Sequence, residues 1–276
     1  MSATPSTLSD ASGSLRRLPA GRKADLAAYI SESGEVTVGE LAARFDVSTD
    51  TIRRDLDQLD SDGLVVRTHG GAVSPTSVPR VDTGLDVRLR FQAAAKERIG
   101  ALAATLVDDN SVIMINAGTT TLALARHLGE HRGLTVATNS LRIPAEISPK
   151  SFRGLYVFGG AVHPNDQKTI GPVSFQTVAG GAELDVQCDL ALLGVGAVSV
   201  ENGYTTSNLE EAAMMSEMAA RASRVAILAD SSKFGRRLFA QVAELGRADY
   251  FVTDAAPERD LADALASAKV ELLIAK

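Results

Sequence analysis

VSTDTIRRDL, residues 47 to 56, sets Arg53 and Arg54 side by side in a stretch otherwise rich in acids. Ile52, Leu56 and Leu59 follow at i, i+4 and i+7, one face of a helix, and Ser48 stands where a capping residue belongs. With that face turned inward at 100° per residue, Arg54 points outward and Arg53 lies at the flank, beside Thr49 and Asp50. A recognition helix presents side chains to the major groove in this way, and arginine can grip guanine with two bonds or a phosphate with one. An ordinary solvated face is the alternative, with Asp50 pairing to Arg54 and Asp57 to Arg53 at four-residue spacing.

The neighbouring sequence favours the first reading. Upstream, RKADLAAYISES places Leu26, Tyr29 and Ile30 on one side of a short helix. TVGELAARF then puts Val38, Leu41, Ala42 and Phe45 on the apolar face of a second, and Thr37 with Glu40 forms a capping box at its start. A tight turn at Asp46 and Val47 leads into the arginine helix, which Gly63 stops. LVVRTHGGAV alternates and is broken by Gly70-Gly71, as a short hairpin would be. Three helices and a hairpin predict a winged helix-turn-helix over residues 16–75. Charge alone would not suggest nucleic acid: the chain carries −6 overall, and residues 16–75 hold eight basic against ten acidic residues, a net of −2. Placement of the charges must carry the inference.

Composition bounds the rest. Length allows about two domains, and 45% apolar with 22% charged residues is ordinary globular usage. MSATPSTLSDASGSL, residues 1–15, has neither a basic start nor a long apolar run, so it reads as a disordered tail rather than a signal peptide. No stretch approaches the roughly 18 apolar residues of a membrane span, so the expected location is the cytoplasm and no membrane partner is expected. The single Cys188 excludes an internal disulfide, and its apolar setting suits a buried thiol.

Residues 76–92, with Pro79 and Gly84 and little periodicity, read as a linker. From 93 onward, helical patterns alternate with apolar runs: VIMI at 112, LTVA at 134, LYVF at 155, LALL at 190, VAIL at 225, YFVT at 250 and ELLIA at 271. The predicted fold class is therefore α/β, an N-terminal winged helix-turn-helix followed by a mostly parallel α/β domain over 93–276 with helices on both faces. VIMI runs into Asn116, Gly118 and the hydroxyls of Thr119, Thr120 and Thr121 at a helix start, an arrangement that can surround an anion, though a glycine turn with a threonine cap explains it as well. Thr138, Asn139 and Ser140, Gly159 and Gly160, and DSSKF at 230–234 also fall where parallel strands end, which is where such sheets bind ligands. Lys233 could supply a cation.

VSTDTIRRDLDQLDSDGLVVRTHGGAV, residues 47–73, resembles the hallmark of the DeoR family of bacterial transcription regulators. The likeness continues through AGTTT, TNS, FGG, the GP at 171, NGYTT at 202–206 and ADSSKFG at 229–235, covering roughly residues 16–276. It implies operator DNA at or near Thr37, Ser48, Thr49, Thr51, Arg53 and Arg54, with Arg67 and His69 of the wing against backbone or minor groove. It also implies a second domain similar in fold to ribose-5-phosphate isomerase, controlled by a phosphorylated sugar or related metabolite. Two departures stand out: Asn116 where the family usually has an acid, and Met215 where it commonly has a lysine, so that the effector pocket is expected to lack a carboxylate and a cation. Asp55 reads as a structural partner for a nearby base.

The expected function is that of a regulator, a repressor of carbohydrate genes, assembled as a homo-oligomer because one helix and wing cover one half-site. The alternative is a sugar-phosphate isomerase with an accessory helical domain, or a scaffold using both domains for protein contacts. An isomerase of this fold would show a carboxylate-rich DGADE-type loop, where the chain reads GVGAVSVENG with Glu201 its only acid, so no catalytic residue is expected. His127 and His131 are four apart but straddle Gly129 without a third ligand, so neither a metal nor a cofactor is expected.

Overall fold

The computed structural model describes residues 19–61, 64–68, 70–74, 85–176, 183–184 and 186–276. The expected tail, His69, Gly63 and most of the expected linker lie outside them. The described residues form two compact units, one ending at Ser74 and the other beginning at Leu85.

In the first unit, α1 (Pro19–Ser33), β1 (Glu35–Thr37), α2 (Val38–Phe45), α3 (Thr49–Ser61), β2 (Val66–Arg67) and β3 (Gly71–Val73) follow in order. The apolar positions picked out by helical spacing make one core: Leu26 and Ile30 of α1, Leu41 of α2, and Ile52, Leu56 and Leu59 of α3 are all buried. Thr37 caps α2 through its hydroxyl while Glu40 bonds back to the Thr37 amide, and Asp46 ends the helix in the left-handed region at φ 51°. Ser48 Oγ accepts the Thr51 amide at 3.2 Å, starting α3. The hairpin β2–β3 gains a third strand that the sequence pattern did not reveal, because β1 pairs with β3 over only three residues.

The second unit opens with α4 (Leu85–Arg90) and α5 (Ala93–Ala104). Residues 85–92, read as linker for want of periodicity, instead begin with α4, which buries Leu85 and Val87 and leads into the buried Phe91. Then follow β4 (Val112–Ile115), α6 (Thr119–Arg126), β5 (Leu134–Thr138), α7 (Ile143–Glu146), β6 (Phe152–Val157), β7 (Ala161–His163) and β8 (Lys168–Ile170). After β9 (Phe175–Gln176) and β10 (Glu183–Leu184) come β11 (Cys188–Gly194), β12 (Ala197–Ser199), β13 (Gly203–Thr206), α8 (Leu209–Ala220) and β14 (Ala222–Leu228). A short 3₁₀ turn (Ser231–Lys233), β15 (Ala240–Ala243), β16 (Tyr250–Thr253), α9 (Arg259–Ser267) and β17 (Glu271–Ile274) complete the chain.

Seven strands form one sheet in the order β17-β16-β14-β11-β4-β5-β6, every neighbouring pair parallel. Its strands alternate between two cores. Ile113, Leu190, Leu192 and Ala226 pack with α5 and α6, whereas Met114, Ala191, Leu193 and Val225 pack with α8 and α9. Burial on both faces is why these strands read as continuous apolar runs. Cys188 sits in the second of these cores, and burial pushes its thiol up to about 11. Among the described residues no helix is long and apolar enough to cross a membrane.

Candidate functional site

The exposed face of α3 presents Thr49, Asp50, Arg53 and Arg54, and Ser48 just ahead of it is exposed as well. Its ion pairs differ from the four-residue pairing expected. Arg67 approaches α3 from the hairpin and takes Asp57 at 3.0 Å, while Arg53 turns back one residue less than a turn to Asp50 at 2.9 Å. Arg54 makes no ion pair or side-chain hydrogen bond among the described residues. The Arg53–Asp50 pair is more than half exposed on both sides, and such pairs contribute about 0–1 kcal/mol, so a stronger anion displaces it readily. Arg67 is held more firmly: its amide donates to Asp60 Oδ1 at 3.0 Å and its guanidinium to the Gly71 carbonyl at 3.2 Å. Asp55, buried, accepts from Arg22 Nε at 2.6 Å, the structural partnership expected of it.

At the carboxyl ends of the parallel strands lies a cleft of about 550 Å³. Gly118, Thr119, Thr120 and Lys233 line it, as the sequence pattern suggested. Gly118 caps α6 in an extended conformation without any side-chain hydrogen bond, leaving first-turn amides of the helix to face an occupant. The other seven candidates are not in the lining; they hold the strand ends together. Asn116 donates from Nδ2 to the Gly194 carbonyl at 2.9 Å and accepts the Gly194 amide on Oδ1 at 2.8 Å, tying β4 to β11. Thr121 donates to the Asn116 carbonyl and Thr138 to that of Ile115. Asn139 accepts the Ala117 amide and donates to the Thr169 carbonyl, and Ser140 accepts the amides of Arg142 and Ile143. Gly159, at φ 102°, and Gly160 lie against β8, where a Cβ on Gly159 would fall 2.7 Å from Thr169 Oγ1.

Four cations in the lining were not picked out from the sequence: Arg88, Lys96, Lys168 and Arg236. They come from separate elements and form no spacing motif. Lys96 did carry a signal, since with Gly100 and Ala103 it occupies i, i+4 and i+7 on the buried side of α5. Burial pulls its ammonium down to about 8, opposed by Asp230 and reinforced by Lys233 and Arg88. Lys233 is lowered too, first by burial, with Asp230 opposing and Arg236 and Arg88 adding repulsion. The carboxylates nearby are engaged: Asp166 with Arg88 and with Lys168 at 3.3 Å, Glu211 with Lys168 at 2.8 Å and with the Thr206 hydroxyl at 2.9 Å. Beside them Asp230 is fully buried, one oxygen taken by Ser232. Five cations against Asp166, Glu211 and Asp230 leave the region at +2 with every group charged, in a chain of −6.

The two departures noted in the sequence acquire different meanings here. Asn116 is a strand tie, and its amide both donates to and accepts from one backbone residue, which an ionised carboxylate cannot do. Met215 is buried in the apolar core beside Met214 and Met218 and does not line the cleft, so the expected loss of a pocket cation at that position does not occur; Glu211, one turn earlier, is the α8 residue that reaches it. The histidines are apart from the cleft lining, His127 bonded to Glu97 at 3.1 Å and His131 beside Asp109 at 3.5 Å.

The chain is 34% identical over 256 residues to the HTH-type transcriptional regulator GlpR of Haloferax volcanii, covering 93% of this chain and 98% of the relative. It is 28% identical to the glycerol-3-phosphate regulon repressor of Escherichia coli K12, over 88% of this chain and 94% of that one. Ribose 5-phosphate isomerase A of Methanocaldococcus jannaschii aligns over 52% of this chain and 55% of its own, at 16% identity and a TM-score of 0.35. A family profile for the DeoR-like helix-turn-helix domain matches residues 22–78 and one for the DeoR C-terminal sensor domain matches residues 91–255. The chain belongs to the DeoR family of transcription regulators.

Proposed function

We propose that the protein represses carbohydrate-metabolism genes by binding operator DNA through α3 and is released or retained by a phosphorylated sugar or related metabolite bound in the cleft. The observation that carries the sensing half is the cationic cleft at an uncapped helix start in an acidic chain. A phosphate there meets the first-turn amides of α6 and the side chains of Lys233, Lys96 and Arg236, while Asn116, Thr121, Thr138, Asn139 and Ser140 keep the strand ends in place. Thr37, Ser48, Thr49, Thr51, Arg53 and Arg54 contact DNA, and Arg67 and His69 act from the wing. One helix covers one half-site, so the working form is at least a dimer reading half-sites about 34 Å apart or a multiple of that. Control follows if the effector binds the DNA-incompetent arrangement more tightly. The role is regulatory rather than enzymatic, since both carboxylates of the lining are committed to cations or a hydroxyl, and it is exercised in the cytoplasm.

Selection of fragmented genomic DNA by the purified protein, with and without a panel of sugar phosphates at fixed salt, tests this reading. A few enriched sites, lost or strengthened with one compound, are expected; no enrichment under any condition would remove it and send attention to an aldose–ketose interconversion assay. Arg54→Ala is expected to weaken specific binding by about 1–3 kcal/mol, read by titration of the selected operator, if this arginine contacts a base. Unchanged affinity would return Arg54 to the solvated face.

Acidity of the cleft lysines predicts a pH effect. Lys96 is charged below about 8 in the free protein and loses its proton above that, so sugar-phosphate affinity should fall as pH rises through this range. Roughly a tenfold loss between about pH 7 and about pH 9.5 is expected by calorimetry, the phosphate being a dianion throughout. In Lys96→Met the loss should be much smaller.

A further inference from the structure

Among the groups of the cleft, Arg88 is singular: it comes from α4, the first described element after Ser74, and its Nε is buried without a hydrogen-bond partner. Its Nη2 is paired with Asp166. Lys96 grips the end of the same helix, its ammonium donating to the carbonyls of Arg88 at 2.6 Å and Phe91 at 2.5 Å. An ammonium has three protons, so two are spent on the end of α4 and one is left for an occupant. Phe91 itself lines the cleft, with the ammonium groups of Lys96 and Lys233 5.7 and 5.9 Å from its ring.

We propose that α4 is the element through which the cleft reports occupancy: a bound phosphate is grasped by Arg88 Nε and the third proton of Lys96, and so fixes the helix that begins eleven residues after the DNA-binding unit ends. The inference rests on the anion-binding reading of the cleft and adds the route out of it. A buried donor without an acceptor is costly, and a phosphate oxygen satisfies it while bridging to the amides at Thr119 and Thr120. The ligand then joins α4 to α6 through itself. Arg88 acts here as a coupling residue, with Lys96 holding the main chain of α4 and Lys233 and Arg236 supplying affinity.

Hydrogen–deuterium exchange of the full chain, with and without inorganic phosphate at tens of millimolar, tests the proposal. Slowing by about tenfold is expected both at amides 119–121 and across 85–92, the change produced by one or two charge-assisted bonds gained. Slowing at 119–121 alone would overturn the coupling and leave the anion site standing. Slowing at neither would overturn both. Arg88→Lys keeps the charge but has no Nε; it should retain protection at 119–121 and lose most of it across 85–92, and a response equal to that of the unaltered protein would sink the assignment to Nε.

Discussion

Gly71→Ala is expected to abolish operator binding while leaving sugar-phosphate binding intact. A Cβ at this position would lie 1.9 Å from the Val36 carbonyl oxygen and 2.8 Å from Thr37 Cα, both main-chain atoms of the partner strand. No rotamer can relieve such a contact, so β1 and β3 must part, and with them the Thr37–Gly71 register and the bond from the Val38 amide to the Gly70 carbonyl at 2.8 Å. Strain of this kind exceeds about 4 kcal/mol, and a core as small as that of the first unit supplies roughly 3–5 kcal/mol. The N-terminal unit should therefore be unfolded at 25 °C, detected as rapid proteolysis within residues 19–74 and no retention on operator DNA. The second unit has its own two cores, and its calorimetric response to sugar phosphate should persist. Full operator affinity in Gly71→Ala would mean that the strands do not approach this closely.

Asn116→Asp should destabilise the second unit by about 2–4 kcal/mol at neutral pH. The carboxylate can still accept the Gly194 amide, but its other oxygen then faces the Gly194 carbonyl where Nδ2 now donates, in a site only 2% exposed. Burial and that opposing dipole raise the folded-state pKa above the unfolded value of about 3.9. The sign follows from linkage. Between the two pKa values the folded variant binds the proton that the unfolded chain releases, so lowering the pH through the raised pKa restores a donor and recovers stability relative to the parent. Denaturant titrations of both proteins at about pH 8 and about pH 5 should show the gap narrowing at the lower pH. A gap that does not depend on pH would mean that Nδ2 is not the donor.

Much of the architecture was legible because it rests on repetition. Seven apolar runs became the seven strands of one parallel sheet, and Ile52, Leu56 and Leu59 gave the inward side of α3 and hence the outward direction of its arginines. Short elements were not legible: β1 has three residues, and the sheet of β12, β13 and β15 is built from strands too brief to show a period. The cleft was half legible. Thr119 and Thr138 look equally available in sequence, yet one lines the cavity and the other donates to the main chain of the adjoining strand, a choice set by which way each strand end turns. Its cations are gathered from α4, α5, β8 and the segment around the 3₁₀ turn, so only tertiary structure makes them neighbours.

The ion pairs Arg53–Asp50 and Arg67–Asp57 bear on how an operator is found at all. DNA far from an operator is held only by neutralising phosphates and releasing their counterions. Here Arg53 and Arg67 must each leave a carboxylate before doing so, and Arg54 alone of the three has none to leave among the described residues, on a unit already at −2. Residence on random sequence is accordingly expected to be brief and its salt dependence shallow. Such a protein is expected to reach its operator chiefly by repeated excursions through solution rather than by sliding.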